Sequence, residues 1–84
     1  MNVYYITFRS VTLAQRGEGV LEGEGLPCTL ARTPRWMEER GCGYSLRLRT
    51  DDPGRWVETL RRRGVEYRKV YLRKGDGTVG EVTV

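Results

Sequence analysis

Residues Val3–Arg9 read VYYITFR, a stretch whose residues alternate between two sides of an extended chain. Tyr4, Ile6 and Phe8 would lie on one side of the strand. Tyr5, Thr7 and Arg9 would lie on the other. A period of two over this length predicts a half-buried β-strand, the first element of the fold.

Four further segments predict strands. Leu26–Thr33 reads as a short second strand with Pro27 suited to a sheet edge. Tyr44–Arg49 (YSLRLR) alternates as the first strand does and predicts the third. Its inward residues would be Tyr44, Leu46 and Leu48, and its outward residues Ser45, Arg47 and Arg49. Val65–Leu72 predicts a fourth strand whose imperfect alternation indicates a bulge, and Val79–Val84 can fold back as a fifth.

A glycine-containing helix is predicted between the first two strands. Ser10 or Thr12 begins it, and Thr12 with Gln15 three residues later fits a capping box. Gly17 lies on the apolar face of this helix, which indicates close contact with the sheet. Gly25 is a natural terminator.

A second helix is predicted between the third and fourth strands. Residues 51–53 (DDP) supply a cap and a first-turn proline. Trp56, Val57 and Leu60 would form its buried stripe, and Gly64 would end it.

The order βαββαβ with a C-terminal tail predicts an α+β, ferredoxin-like two-layer sandwich with the strand order 4-1-3-2. With 84 residues the chain is expected to form a single domain over positions 1–84. The absence of a long apolar run or a signal-like segment predicts a cytoplasmic protein without a membrane span. Fifteen Lys and Arg against eleven Asp and Glu give a net charge of +4, which suits an acidic partner, an anionic ligand or RNA.

The segment Thr33–Gly43 (TPRWMEERGCG) carries the candidate chemistry. Cys42 stands between Gly41 and Gly43, and glycines allow a sharp turn and close approach to the sulfur. The alternative is a plain turn in which a cysteine happens to fall, since the chain has no histidine to act as a base. The same lack of histidine, with only two cysteines, argues against a zinc site or another metal site, and no cofactor is expected.

The PR pair at Pro34 and Arg35 and the CG pair at Cys42 and Gly43, with TFRS at residues 7–10, resemble a family of small bacterial selenium/sulfur carrier-like proteins. The resemblance covers roughly Tyr4 to Leu72. It implies a βαββαβ fold and a carrier role in which Cys42 holds sulfur or selenium as a persulfide or perselenide. It also implies partners in sulfur or selenium metabolism, such as a cysteine desulfurase, and a carrier rather than an enzyme.

The predicted topology brings the end of strand one beside the start of strand three. The N-terminus of the first helix, around Ser10 and Thr12, would then lie near Cys42 and favour its thiolate. Arg35 and Arg40 are candidates to add positive charge, although Arg40 reads equally as a solvated surface residue.

The remaining cysteine and the helix-free face of the sheet lead to other interpretations. Cys28 would lie at the opposite end of the sheet from Cys42, too far for a disulfide, and reads as core or near-core. The face without helices would expose Tyr5, Thr7, Arg9, Ser45, Arg47 and Arg49. Such a basic and aromatic face favours an alternative function as a non-catalytic binding module for RNA, a small molecule or a second copy. RNA is the weaker option, because strand three lacks an aromatic-rich recognition signature.

Overall fold

The computed structural model describes residues 2–37 and 43–84 of the chain. Its elements are β1 (Val3–Thr7), α1 (Val11–Gly23), β2 (Thr29–Arg32), β3 (Tyr44–Arg49), α2 (Gly54–Arg62), β4 (Val70–Arg73) and β5 (Val79–Val82). This order of strands and helices confirms the predicted α+β, ferredoxin-like sandwich. The C-terminal segment adds the fifth strand.

The five strands form one antiparallel sheet in the order β2-β3-β1-β4-β5. β1 lies at the centre, with Tyr5 opposite Arg47 on one side and Tyr71 on the other. The first four strands therefore have the predicted order 4-1-3-2, and β5 extends the sheet beyond β4.

Both helices pack on one face of the sheet and enclose the main core. Its buried residues from the sheet side include Tyr4 and Ile6 of β1, Phe8 just after β1, and Leu46 and Leu48 of β3. Those from the helices include Ala14, Leu21, Trp56, Val57 and Leu60. Gly17 confirms the predicted close approach, because a Cβ atom there would lie 3.1 Å from Phe8 Cζ and 3.3 Å from Leu46 Cδ1.

β1 and β4 are shorter than predicted because their ladder ends in a bulge. Thr7 N–H donates to the Lys69 carbonyl at 2.9 Å, whereas the Thr7 carbonyl accepts from Arg68 N–H at 2.7 Å. The Lys69 N–H turns to the Thr7 hydroxyl instead, at 3.1 Å. Arg68 and Lys69 thus lie opposite the single residue Thr7, which is a β-bulge. The bulge explains the imperfect alternation of Val65–Leu72, and β4 begins at Val70 rather than Val65.

β2 is also shorter than predicted, because its first residues close the preceding helix. Leu26 N–H donates to the Leu21 carbonyl at 2.9 Å, around Gly25 with a φ of +75°. Pro27 has no N–H for a ladder, and its carbonyl accepts from Trp56 Nε1 at 3.2 Å. The strand therefore begins at Thr29.

The second helix follows its prediction except at its first residue. Pro53 is the residue before the helix rather than part of the first turn, and Asp52 Oδ1 accepts from Gly54 N–H at 3.2 Å. Trp56 and Leu60 are buried as predicted. The chain then turns at Gly64 with a φ of +73°.

The helix-free face is not open at its centre, which corrects the prediction made for it. Tyr5, Thr7 and Ser45 were expected to point to solvent, but they are only 3%, 2% and 0% exposed. The strand register does direct them to the expected side. Tyr5 is buried because Trp36 and Met37, at the start of the connection between β2 and β3, pack against it.

Candidate functional site

The connection between β2 and β3 leaves and rejoins the sheet at one point. Arg32 and Tyr44 form the last cross-strand pair, and beyond it Thr33 N–H donates to the Gly43 carbonyl at 2.9 Å. Gly43 has a φ of +82°, a left-handed conformation that glycine adopts readily. The backbone next to Cys42 in the sequence is thus fixed at the start of β3.

Trp36 and Met37 hold the start of this connection against the helix-free face. The Trp36 ring stands edge-on to Tyr5 and to Tyr71, with centroid distances of 5.7 and 5.9 Å. Met37 is 4% exposed and forms a second, small core with Val3, Tyr5 and Tyr71. Edge-to-face rings and a buried thioether provide specific packing without a regular element.

Pro34 and Arg35 lie in the same turn as these two anchors. The Pro34 carbonyl accepts from Met37 N–H at 3.1 Å, which closes the turn. Pro34 is half-buried, whereas Arg35 is exposed. Three candidates for the site, Arg40, Gly41 and Cys42, lie outside the described residues.

The N-terminus of α1 lies at the sheet edge where β3 begins. Thr7 at the end of β1 is opposite Ser45, the second residue of β3, and α1 starts four residues further along the chain, at Val11. Ser10 caps the helix, since its hydroxyl accepts from Leu13 N–H at 3.2 Å. The predicted capping box at Thr12 is wrong, because Thr12 falls inside the first turn, where the cap position is already taken.

Ser45 was predicted only as a member of the helix-free face, not as a residue near the Cys42 segment. It is fully buried beside Thr7, and its hydroxyl has no hydrogen-bond partner among the described residues. A buried hydroxyl without a hydrogen-bond partner is uncommon in native structures. Its place on the polar side of an alternating strand predicted a solvated residue, so the alternation gave no signal for it.

Cys28 differs from a carrier thiol in its surroundings. Burial raises the pKa of the Cys28 thiol to about 12, and the nearby carboxylates of Glu18 and Glu22 act in the same direction. The side chain is half-buried and packs against the main core. Only a thiolate is a good nucleophile, and the raised pKa keeps Cys28 protonated near neutral pH. Cys28 is therefore a poor acceptor of a transferred sulfur atom.

Two further features, a metal site and a membrane-spanning helix, were also sought among the described residues. Within positions 2–37 and 43–84, His, Cys, Asp and Glu side chains form no group of three that could hold a metal ion. Over the same positions, neither helix is long and apolar enough to cross a membrane.

One protein family matches most of the chain. The family described as "Putative Se/S carrier protein-like" matches residues 3–72. The chain belongs to this family. The match runs from the start of β1 to Leu72 in β4, so β5 lies beyond the part shared with the carrier family. No curated protein and no solved structure matches the chain.

Proposed function

We propose that this protein is a sulfur or selenium carrier in which Cys42 accepts a sulfane sulfur or selenium atom and hands it on. The observation that carries the proposal is membership of the carrier family across residues 3–72. Cys28 offers no rival thiol, because its raised pKa keeps it protonated. The cargo is held on one thiol, so the protein acts as a carrier rather than an enzyme, in a reducing compartment such as the cytoplasm.

The proposed transfer is a thiolate displacement. The Cys42 thiolate attacks the outer sulfur of a donor persulfide, a new S–S bond forms to Cys42, and the bond to the donor sulfur breaks. The donor leaves as a thiolate, and the transferred sulfur keeps its proton, so no outside oxidant or reductant takes part. An acceptor thiolate then repeats the displacement on the Cys42 persulfide. Selenium follows the same path.

Several features of the described chain support an ionised thiol at Cys42. Gly43, its neighbour in the sequence, is fixed at the sheet edge where the N-terminus of α1 begins at Ser10. Helix N-termini lower thiol pKa values. Exposed Arg35 adds positive charge within the same connection, and Arg40 is proposed to do so as well. The Pro34 carbonyl closes the turn by accepting from Met37 N–H, and Gly41 and Gly43 are proposed to give a partner access to the sulfur.

The direct test is loading with a cysteine desulfurase and cysteine, followed by intact-mass measurement under non-reducing conditions. We expect the wild-type protein and Cys28→Ser to gain the mass of a single sulfur atom that a reductant removes. Cys42→Ser should gain none. The matched pair of cysteine variants separates loss of the carrier thiol from a general loss of thiol content.

A second measurement concerns the state of the two thiols. At about pH 7, iodoacetamide should label Cys42 faster than Cys28 by at least about tenfold, because only a thiolate reacts readily. Equally slow labelling of both cysteines, or equal sulfur loading of Cys42→Ser and the wild-type protein, would contradict the carrier proposal.

A further inference from the structure

Three arginines lie together on the helix-free face. Arg49 and Arg73 are the cross-strand neighbours of Val3 on its two sides, and Arg47 is the neighbour of Tyr5. Adjacent strands lie about 4.8 Å apart, so the Cα atoms of Arg49 and Arg73 are separated by roughly 10 Å. We name these three residues the arginine patch.

No described carboxylate neutralises this patch. Glu81 is the one acidic residue that the described strands direct to the helix-free face, and its Oε1 lies 3.5 Å from Lys69 Nζ. Ion pairs within the described residues involve Arg62, Arg63 and Lys69, not the arginines of the patch. Ion pairing within the described residues therefore does not explain why three arginines are placed together.

Trp36 adjoins the patch through Tyr5. The Tyr5 ring contacts the edge-on Trp36 ring at 5.7 Å, and the Arg73 guanidinium lies 5.9 Å from the centre of the same Tyr5 ring. Trp36 is 37% exposed although it is a large apolar residue. Tryptophan and arginine are the residue types most enriched at the energetic centres of protein interfaces.

The aromatic residues favour a protein over a nucleic acid as the acidic partner. Single-stranded nucleic acids bind by stacking bases on exposed rings. Tyr5 and Tyr71 are only 3% and 7% exposed, which leaves Trp36 as the single exposed ring of this face in the described chain. Arg47 and Arg49 also line a depression of about 350 Å³ at the edge of the sheet, together with Pro27, Cys28 and Thr29.

We propose that the arginine patch and Trp36 form the docking surface for an acidic segment of a partner protein, the donor or the acceptor of the transferred atom. The partner's role as donor or acceptor rests on the proposed function, whereas the surface itself rests on described residues. Trp36 belongs to the connection between β2 and β3 that also contains Cys42. A partner bound to Trp36 is thus held on the connection that bears the cargo.

The test measures binding of a fluorescent, short poly-glutamate peptide by anisotropy. The wild-type protein should bind it, and added salt should weaken the binding because exposed charges are screened. The triple variant Arg47→Gln/Arg49→Gln/Arg73→Gln should bind roughly tenfold more weakly, as expected for the loss of three exposed ion pairs. Trp36 emission should change on binding, whereas Trp56, at 8% exposure, provides a buried reference.

A matched control keeps the net charge of this variant but changes the helical layer. Arg16, Arg55 and Arg62 are exposed on α1 and α2, and their triple glutamine variant should retain wild-type affinity. Equal weakening in both triple variants would show general charge attraction and overturn the docking surface. Tighter binding of a single-stranded RNA than of the peptide, lost in the patch variant alone, would assign the surface to nucleic acid and overturn the protein partner.

Two further measurements separate the docking surface from the carrier chemistry. Cys42→Ser should bind the peptide with wild-type affinity, and the patch variant should accept sulfur from inorganic polysulfide at the wild-type rate. Failed loading with intact peptide binding would refute the carrier while leaving the surface in place. Loss of polysulfide loading in the patch variant would show that the arginines act on the thiol, which contradicts a docking role.

Discussion

The two faces of the sheet are buried in different ways. On one face, two helices cover a continuous core that includes Phe8 and Leu46, both 0% exposed. On the other face, a turn with two anchors, Trp36 and Met37, covers a small cluster around Tyr5. The helix-covered face therefore supports the fold, whereas the helix-free face holds in place the connection that leads to Cys42.

This difference also divides stability from function. The main core involves both helices and most strands, so a change there should affect the whole domain cooperatively. The small cluster involves Val3, Tyr5, Met37 and Tyr71, and a change there should first release the turn that they hold. Substitutions on the two faces can test this division.

The largest effect is expected for Phe8→Ala on the helix-covered face. Phe8 is fully buried between the sheet and Gly17 of α1. Removing the ring should lower the free energy of unfolding by about 3–5 kcal/mol, from lost burial and the cavity left behind. Urea denaturation followed by circular dichroism measures this value. A loss below about 1 kcal/mol would show that the site collapses around the smaller residue, against the tight packing at Gly17.

A smaller effect is expected for Met37→Ala on the helix-free face. Met37 is 4% exposed, but the cluster around it is thin and its neighbour Trp36 is 37% exposed. The global free energy of unfolding should fall by about 2 kcal/mol, at the low end for a buried methionine. Amide hydrogen exchange should increase at the hydrogen bond from Met37 N–H to the Pro34 carbonyl before it increases in β1. A uniform increase through the sheet would instead show that both faces unfold as one unit.

The sequence predicted the helix-covered face well for a physical reason. Regular elements repeat their burial with a fixed period, so alternation in Tyr44–Arg49 located β3, and the apolar stripe located α2. Glycines at positions 25 and 64 marked the helix ends because they adopt a positive φ there. Boundaries moved where local hydrogen bonds competed with the ladder, as they do at Thr7 and Lys69.

The candidate site was predictable only in part. The edge of the sheet where β3 begins followed from the strand order, and the register of Thr7 with Ser45 confirms it. The site residues themselves stay a prediction from the motif. The covering of the helix-free face did not follow, because Trp36 and Met37 lie in a non-repeating turn without a burial period. Alternation assigns a side chain to a face but cannot tell whether a turn covers that face, so Tyr5 was wrongly expected to be exposed.

The smallest effects come from one substitution made at two glycines of α1. Gly19→Ala adds a methyl group where no atom lies within 4 Å, so the unfolding free energy should rise by about 1 kcal/mol from helix propensity alone. Gly17→Ala should instead lower it by about 1 kcal/mol, because overpacking against Phe8 and Leu46 exceeds the gain in propensity. Both neighbours are fully buried and lie 3.1 and 3.3 Å from the new Cβ atom, so neither can move without disturbing the core. Thermal denaturation of the two variants compares them directly. Equal stabilisation by both substitutions would mean that α1 lies loosely on the sheet. The contact of Gly17 with Phe8 and Leu46 would then not be tight, and the contrast between the two faces of the sheet would be wrong.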